Sequence, residues 1–238
     1  MSIGYGPRIV TDGLVLALDA ADRNSYPGSG TTWTDLSGFG RNGTLTNMEI
    51  PGDYSNTHFN FDAIDEWVDC SLSSGLTGTG SWTMEAWFKV NGAPSNTSYM
   101  NVIVDTDATG ASANMIAVDY GGTSLGGSQN QLVYASRPST GGSYTNLLGP
   151  VLTQGVWYYA SAVRNGTTDT KLYTNGTLSS TYSGNIPTAT QPLVRIARWT
   201  DGTVYSNISV SSVKIYNKAL SAQEVSQNFN ALRGRFGI

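Results

Sequence analysis

The chain has a single cysteine, Cys70, and a single histidine, His58, among its 238 residues. One cysteine excludes an intrachain disulfide and a thiolate metal cluster. Free cysteines are usually buried, so a buried thiol is expected. Charge is scarce too: Asp, Glu, Lys and Arg make up 13% of the chain and the net charge is −4, about half the charged fraction of an ordinary soluble domain. The arginines at 137, 164, 195, 198, 233 and 235 are scattered, with no basic run. This excludes an electrostatic footprint for nucleic acid or an anionic membrane. No apolar run approaches the ~20 residues of a membrane span. Residues 1–8 lack the apolar centre of a signal peptide, which points to a protein that works where it is made or leaves the cell by a non-classical route.

What is abundant is glycine, with 28 positions, together with Ser, Thr and Asn. That mixture suits short strands and tight turns and is poor material for long helices. Asn42-Gly43, Asn91-Gly92, Asn165-Gly166 and Asn175-Gly176 fit two-residue hairpin turns, which need positive φ at both central positions; Asp12-Gly13 and Asp201-Gly202 are similar. Between them run short alternating segments. The clearest is 82–90, where Trp82, Met84, Ala86, Phe88 and Val90 share one face and Thr83, Glu85, Trp87 and Lys89 the other. Further strands are expected at 13–19, 57–62, 67–70, 99–105, 114–119, 131–136, 156–164, 170–174 and 193–198. In 207–216 the apolar phase switches between Val210 and Val213, which predicts a β-bulge near Ser211-Ser212. Ser221 and Glu224 form a capping box before Val225, Phe229 and Leu232, so a short helix at the sandwich edge is expected.

Many short strands with frequent turns predict an all-β sandwich or barrel. No linker divides the chain. The organisation expected is an N-terminal arm over 1–12, one β-sandwich domain over 13–232 and a tail over 233–238.

Ordered segments carry a resemblance. Phe61-Asp62-Ala63-Ile64-Asp65-Glu66-Trp67-Val68, Trp82-Thr83-Met84-Glu85-Ala86-Trp87-Phe88-Lys89, Trp157-Tyr158-Tyr159-Ala160 with Leu172-Tyr173-Thr174-Asn175-Gly176, and Val213-Lys214-Ile215-Tyr216-Asn217-Lys218-Ala219-Leu220-Ser221 resemble, in order, the strand motifs of laminin G-like domains of the concanavalin A-like lectin/glucanase superfamily. The resemblance implies a two-sheet antiparallel jelly-roll sandwich with one short C-terminal helix. The opening segment, residues 13–38, is similar to laminin G-like domains in tailed-phage structural proteins, including marine ones. It implies a virion component such as a decoration, fibre or tail-associated protein, partnered by other virion proteins or copies of itself and located on the virion surface.

For chemistry, the four glutamates, Glu49, Glu66, Glu85 and Glu224, form no E-x-D-x-E pattern of the kind seen in glycosidases on this fold, and no serine sits in a G-x-S-x-G elbow. The expectation is no enzyme, with a triad through His58 as the reading to be checked. No cofactor is fixed by the residues. A structural calcium suits the oxygen-rich turns, and many laminin G-like domains hold one on a rim; the candidate ligands are Asp62, Asp65, Asp105 and Asp107. The plain alternative is that these side chains cap strand ends and solvate a turn. A second oxygen-rich region comprises Asp19, Asp22, Asn24 and Asp35. For sugar binding, an aromatic platform beside polar groups is needed. Trp87, on the polar phase of its strand, and Trp199, Asp201 and Tyr205, at a strand-to-turn junction, are the candidates, against a reading in which Trp87 lies under a loop or the helix. Trp33, Trp67, Trp82 and Trp157 are expected in the core. The loops at 105–112, 121–130, 137–145 and 199–206 are the favoured functional regions. Two functions follow: a virion display protein that adheres to host-surface glycans, or a free, extracellular carbohydrate-binding module.

Overall fold

The computed structural model describes residues 7–76, 80–106, 113–121, 125–137, 143–186, 191–199 and 202–238. Among the described residues, fifteen strands form two antiparallel sheets, followed by one helix. The first sheet orders β1 (Leu14–Asp19), β15 (Asn207–Tyr216), β6 (Trp82–Val90), β11 (Trp157–Asn165), β12 (Asp169–Thr174) and β13 (Thr177–Ser183), with β4 (Phe59–Asp62) also on β15. The second orders β10 (Thr145–Val151), β9 (Gln131–Arg137), β8 (Ala113–Asp119), β7 (Met100–Asp105), β14 (Gln191–Ile196), β5 (Trp67–Leu76), β3 (Gly43–Thr46) and β2 (Thr32–Trp33).

The bulge expected in β15 is present. Val210 pairs with Phe88 and Ser212 with Trp87, so Ser211 is the extra residue. It lets one long strand hold two partners on the same edge, β4 against 207–210 and β1 against 212–216. Trp82, Met84, Ala86, Phe88 and Val90 enter the core between the sheets, as alternation predicts, with Trp33, Phe59, Phe61, Val68, Ile116, Tyr134 and Ile196. Cys70 is buried there, and burial pushes its thiol pKa upward.

Turn signals divided by context. Asn175 (φ 50°) and Gly176 (φ 76°) make the two-residue hairpin between β12 and β13. Asn165 is the last residue of β11, and Gly166 (φ 66°) opens a three-residue connection. Asn42-Gly43 is not a turn. Gly43 begins β3, where a Cβ would lie 2.8 Å from Val68 Cγ1, so this glycine permits close strand approach rather than reversal. Asn91-Gly92 continues β6 outward, both amides donating to the Asn207 carbonyl. The strands β2, β3, β10 and β13 fall outside the expected set; β13, Thr177–Ser183, is a largely exposed polar edge strand without an apolar alternation to mark it.

The helix α1 (Ala222–Phe236) has the full capping box: Glu224 N–H donates to Ser221 Oγ and the Ser221 N–H donates to Glu224 Oε2. It ends on Gly237 in the left-handed region, and its body includes residues 233–236, which the sequence had assigned to a tail. It packs across the outer face of the seven-stranded sheet rather than at the edge, covering Trp87, Tyr159, Val163 and Tyr173 with Val225, Phe229, Leu232 and Phe236. Nor is 7–12 a loose arm: Val10 N–H donates to Asn228 Oδ1 at 2.7 Å and its carbonyl accepts from the Tyr216 hydroxyl.

Candidate functional site

The outer face of the eight-stranded sheet carries a polar and aromatic cluster built by strand alternation. On β5, Val68 and Cys70 point into the core, which turns Trp67 and Asp69 outward. On β14, Val194 and Ile196 point inward and Arg195 outward. Arg195 and Asp69 are cross-strand partners, and Arg195 Nε lies 2.7 Å from Asp69 Oδ1. The Trp67 indole N–H donates to Asp69 Oδ2 at 3.3 Å. The Asp69 carboxylate therefore has donors at both oxygens.

Beyond β14 the chain reverses. Ala197 adopts φ 67°, Arg198 bridges to Tyr205, and the Trp199 N–H donates to the Val204 carbonyl. This tip projects Arg198 back over β5. Its guanidinium carbon lies 4.3 Å from the centroid of Trp67 and 5.5 Å from that of Tyr205, with the two rings 6.2 Å apart. Tyr205 is fixed through its backbone by a pair of hydrogen bonds with Ser95. The Arg198 guanidinium makes no ion pair and no hydrogen bond among the described residues, and its Nε is shielded from solvent. A Cβ on Gly202 would lie 2.2 Å from Arg198 Nη2, so the left-handed Gly202 (φ 76°) leaves the space that the guanidinium occupies. Trp67, Arg198 and Tyr205 are each half-buried, so this aromatic and guanidinium shelf keeps part of its surface exposed to solvent.

Of the sugar-site candidates, Tyr205 is in this shelf. Trp199 is half-buried beside it, its ring 5.3 Å from Tyr99 and packed on Met100, Val102, Met115 and their neighbours. Asp201 lies outside the described residues. Trp87 is placed elsewhere: it is 1% exposed beneath α1, with Phe236 stacked at 4.2 Å and Phe229 at 5.6 Å. Its outward phase is covered by the helix, so its ring presents no face to a sugar. Trp67, expected in the core, is the tryptophan that faces out. The phase of Val68 and Cys70 was the available signal for it. Arg198 gave no signal, because the turn that aims it depends on non-local pairing. Trp157 is also only half-buried, under Phe236 and beside His58.

The calcium candidates do not converge. Asp62 Oδ1 accepts the Ile64 N–H at 2.8 Å and Asp65 Oδ2 accepts from Asn47 at 2.9 Å, both on the β4–β5 turn. Asp105 is buried on β7, paired in register with Arg195, and Asp107 lies outside the described residues. Among the described residues no group of three or more carboxylate, imidazole or thiol side chains could hold a metal. Asp62 and Asp65 are engaged as turn caps rather than gathered around a common point. Beside Asp62, Glu66 is buried; desolvation first, then its hydrogen bond with Asp62, raises its pKa to about 7. His58 stands 2.8 Å (Nδ1) from Ser55 Oγ. No carboxylate hydrogen-bonds the imidazole among the described residues, and burial followed by the nearby Lys89 charge lowers its pKa to about 4.

Two antiparallel sheets around one core, a capped helix on one outer face and an aromatic shelf on the other define a lectin-type β-sandwich. The chain belongs to the concanavalin A-like lectin/glucanases superfamily: the laminin G-type family model of that description matches residues 62–226. Solved structures share the fold at low identity. The binding domain of botulinum neurotoxin serotype D matches with TM-score 0.67 at 13% identity, over 92% of this chain and 52% of that one. The binding domain of Paraclostridial Mosquitocidal Protein 1 matches with TM-score 0.67 at 16% identity, over 93% and 52%. The binding domain of botulinum neurotoxin DC, solved in complex with SialylT, matches with TM-score 0.64 at 15% identity, over 94% and 52%. The chain thus spans about half the length of these structures. No curated protein sequence matches it.

Proposed function

We propose that this domain is a non-catalytic, lectin-like recognition module, displayed on a phage particle, that adheres to glycans through the shelf formed by Trp67, Arg198 and Tyr205. The observation that carries the reading is the shelf itself: two half-buried aromatic rings and a stacked guanidinium that makes no hydrogen bond or ion pair among the described residues. Aromatic faces next to directional polar groups are what a sugar ring requires, with its apolar C–H face and its rim of hydroxyls.

The absence of catalysis is supported by residue placement. Glu85, the only glutamate in the strand that carries the family motif, is sealed under α1, and Glu224 is spent on the helix cap and on Lys218. His58 with Ser55 lacks an orienting carboxylate among the described residues, and a pKa of about 4 leaves it a weak base. The similar binding domain of botulinum neurotoxin DC, solved in complex with SialylT, supports a recognition role. The virion role is supported by the likeness of residues 13–38 to tailed-phage structural proteins, and it makes other virion proteins or copies of this chain the structural partners.

Two measurements test this. Mass analysis of purified particles should find the protein in fixed, high copy. A glycan array with the isolated protein should give binding that Trp67→Ala abolishes without unfolding it. Glycan binding with no particle association would leave a free, extracellular carbohydrate-binding module. No binding on any array glycan would overturn the recognition reading.

A further inference from the structure

Resting on that reading of the shelf, we infer that Arg198 selects the ligand, reading an anionic substituent, a carboxylate or a sulfate, on the bound glycan. Buried or half-buried arginines ordinarily find carboxylates or carbonyls for their five donors. Arg198 has neither among the described residues, and its Nε is shielded without a partner. Among the described residues, Asp69, the acid hydrogen-bonded to Trp67, is already engaged by Arg195 and by the Trp67 indole. What holds Arg198 is the face of Trp67 at 4.3 Å, with Tyr205 at 5.5 Å. A guanidinium stacked in this way keeps its plane fixed and its edge donors free.

That edge suits a planar carboxylate or a sulfate, which accept two parallel N–H donors, better than a neutral hydroxyl, which accepts one. Partial desolvation by the two rings strengthens such a contact relative to one in open water. The tip is also prepared in advance. The Arg198–Tyr205 bridge and the Gly202 N–H bond to the Trp199 carbonyl set the backbone that carries Arg198, and the side chain already lies over Trp67 and Tyr205 before any ligand arrives. Little ordering is left to be done on binding. A bracing role alone would need only the cation over the ring, which lysine also supplies. Selection of an anion by paired donors needs the fork.

The test uses matched probes on the full chain. Trigalacturonic acid is compared with its methyl ester, which keeps the rings and masks the charge. 6-O-sulfated lactose is compared with lactose. The wild type should bind at least one anionic probe about tenfold or more tightly than its neutral partner, as charge-assisted hydrogen bonds predict, with affinity falling as salt is raised. The arm that shows the preference identifies carboxylate or sulfate. Arg198→Gln should erase the preference while leaving neutral binding, and Arg198→Lys should restore only part of it. Equal binding of charged and neutral partners overturns the selectivity and leaves the shelf standing as a neutral glycan site. Absence of binding to all four probes overturns it too; if an array also shows no glycan bound, the functional reading falls with it. A preference that survives Arg198→Gln places the anion elsewhere and overturns the assignment. Thermal melts of both variants exclude unfolding as the cause.

Discussion

Asn228 on α1 reaches both carboxylate oxygens of Glu85 on β6, at 3.2 and 3.0 Å, across 143 positions of sequence. Its amide nitrogen also meets the Tyr216 hydroxyl at 3.0 Å, and its oxygen accepts the Val10 N–H. One buried side chain therefore ties the helix to two strands and the N-terminal segment. Glu85 accepts from Tyr159 as well, and its carboxyl pKa is raised by burial despite the Lys214 charge opposite it and these donors.

Asn228→Leu should consequently cost about 2–5 kcal/mol, because it strips donors from a buried carboxylate and orphans a backbone amide. Urea denaturation checks the figure. The double variant with Glu85→Gln should cost clearly less than the sum of the single changes, since the two residues share one network.

Trp87→Ala should destabilise on the scale of a core truncation, about 3–5 kcal/mol. The ring is sealed between β6 and α1 and stacked on Phe229 and Phe236. Pairing it with Phe236→Ala should add less than the separate costs, because each ring loses the same contact. Equal melting temperatures for wild type and Trp87→Ala would contradict the helix packing.

Two groups predict opposite pH slopes. Glu66 has a folded pKa of about 7 against 4.5 for an unperturbed glutamate, so the folded state holds the extra proton and stability declines as pH rises from about 4.5 to about 7. His58 has a folded pKa of about 4 against 6.5, so the unfolded state holds the extra proton and stability rises with pH from about 4 to about 6.5. They offset each other over most of that window. Glu66→Gln should expose the rising slope and His58→Phe the falling one, read as denaturation midpoints from pH 4 to 8. Parallel profiles for both variants would refute the assignment.

Gly202→Ala should separate binding from stability. The positive φ costs about 1 kcal/mol for a residue with a Cβ. The new methyl would also occupy the position of Arg198 Nη2 and push the guanidinium off Trp67. Loss of anionic-glycan binding comparable to that of Arg198→Gln is expected, with a melting temperature only a few degrees lower.

Strand 82–90, the bulge at Ser211 and the capping box of Ser221 and Glu224 were legible in the sequence because each is governed by local rules: alternation, a switch of phase, and a three-residue hydrogen-bond spacing. Trp87 shows where such rules stop. Alternation put it on the outer face of its strand, correctly, but whether that face meets solvent depends on a helix some 140 residues later. Gly43 shows the same limit, since a turn dipeptide and a glycine admitting Val68 read alike until the strands are paired.

The apolar phases and turn residues of the sequence by themselves determined an all-β sandwich or barrel and its closing helix, and the ordered strand motifs, through their family resemblance, narrowed it to two sheets. Tertiary structure decided the shelf. Trp67, Arg198 and Tyr205 are separated by well over a hundred residues at their widest, and no propensity records that they meet. The register of β14 on β5 and the reversal at Ala197 bring them together, through hydrogen bonds whose partners only the folded chain supplies.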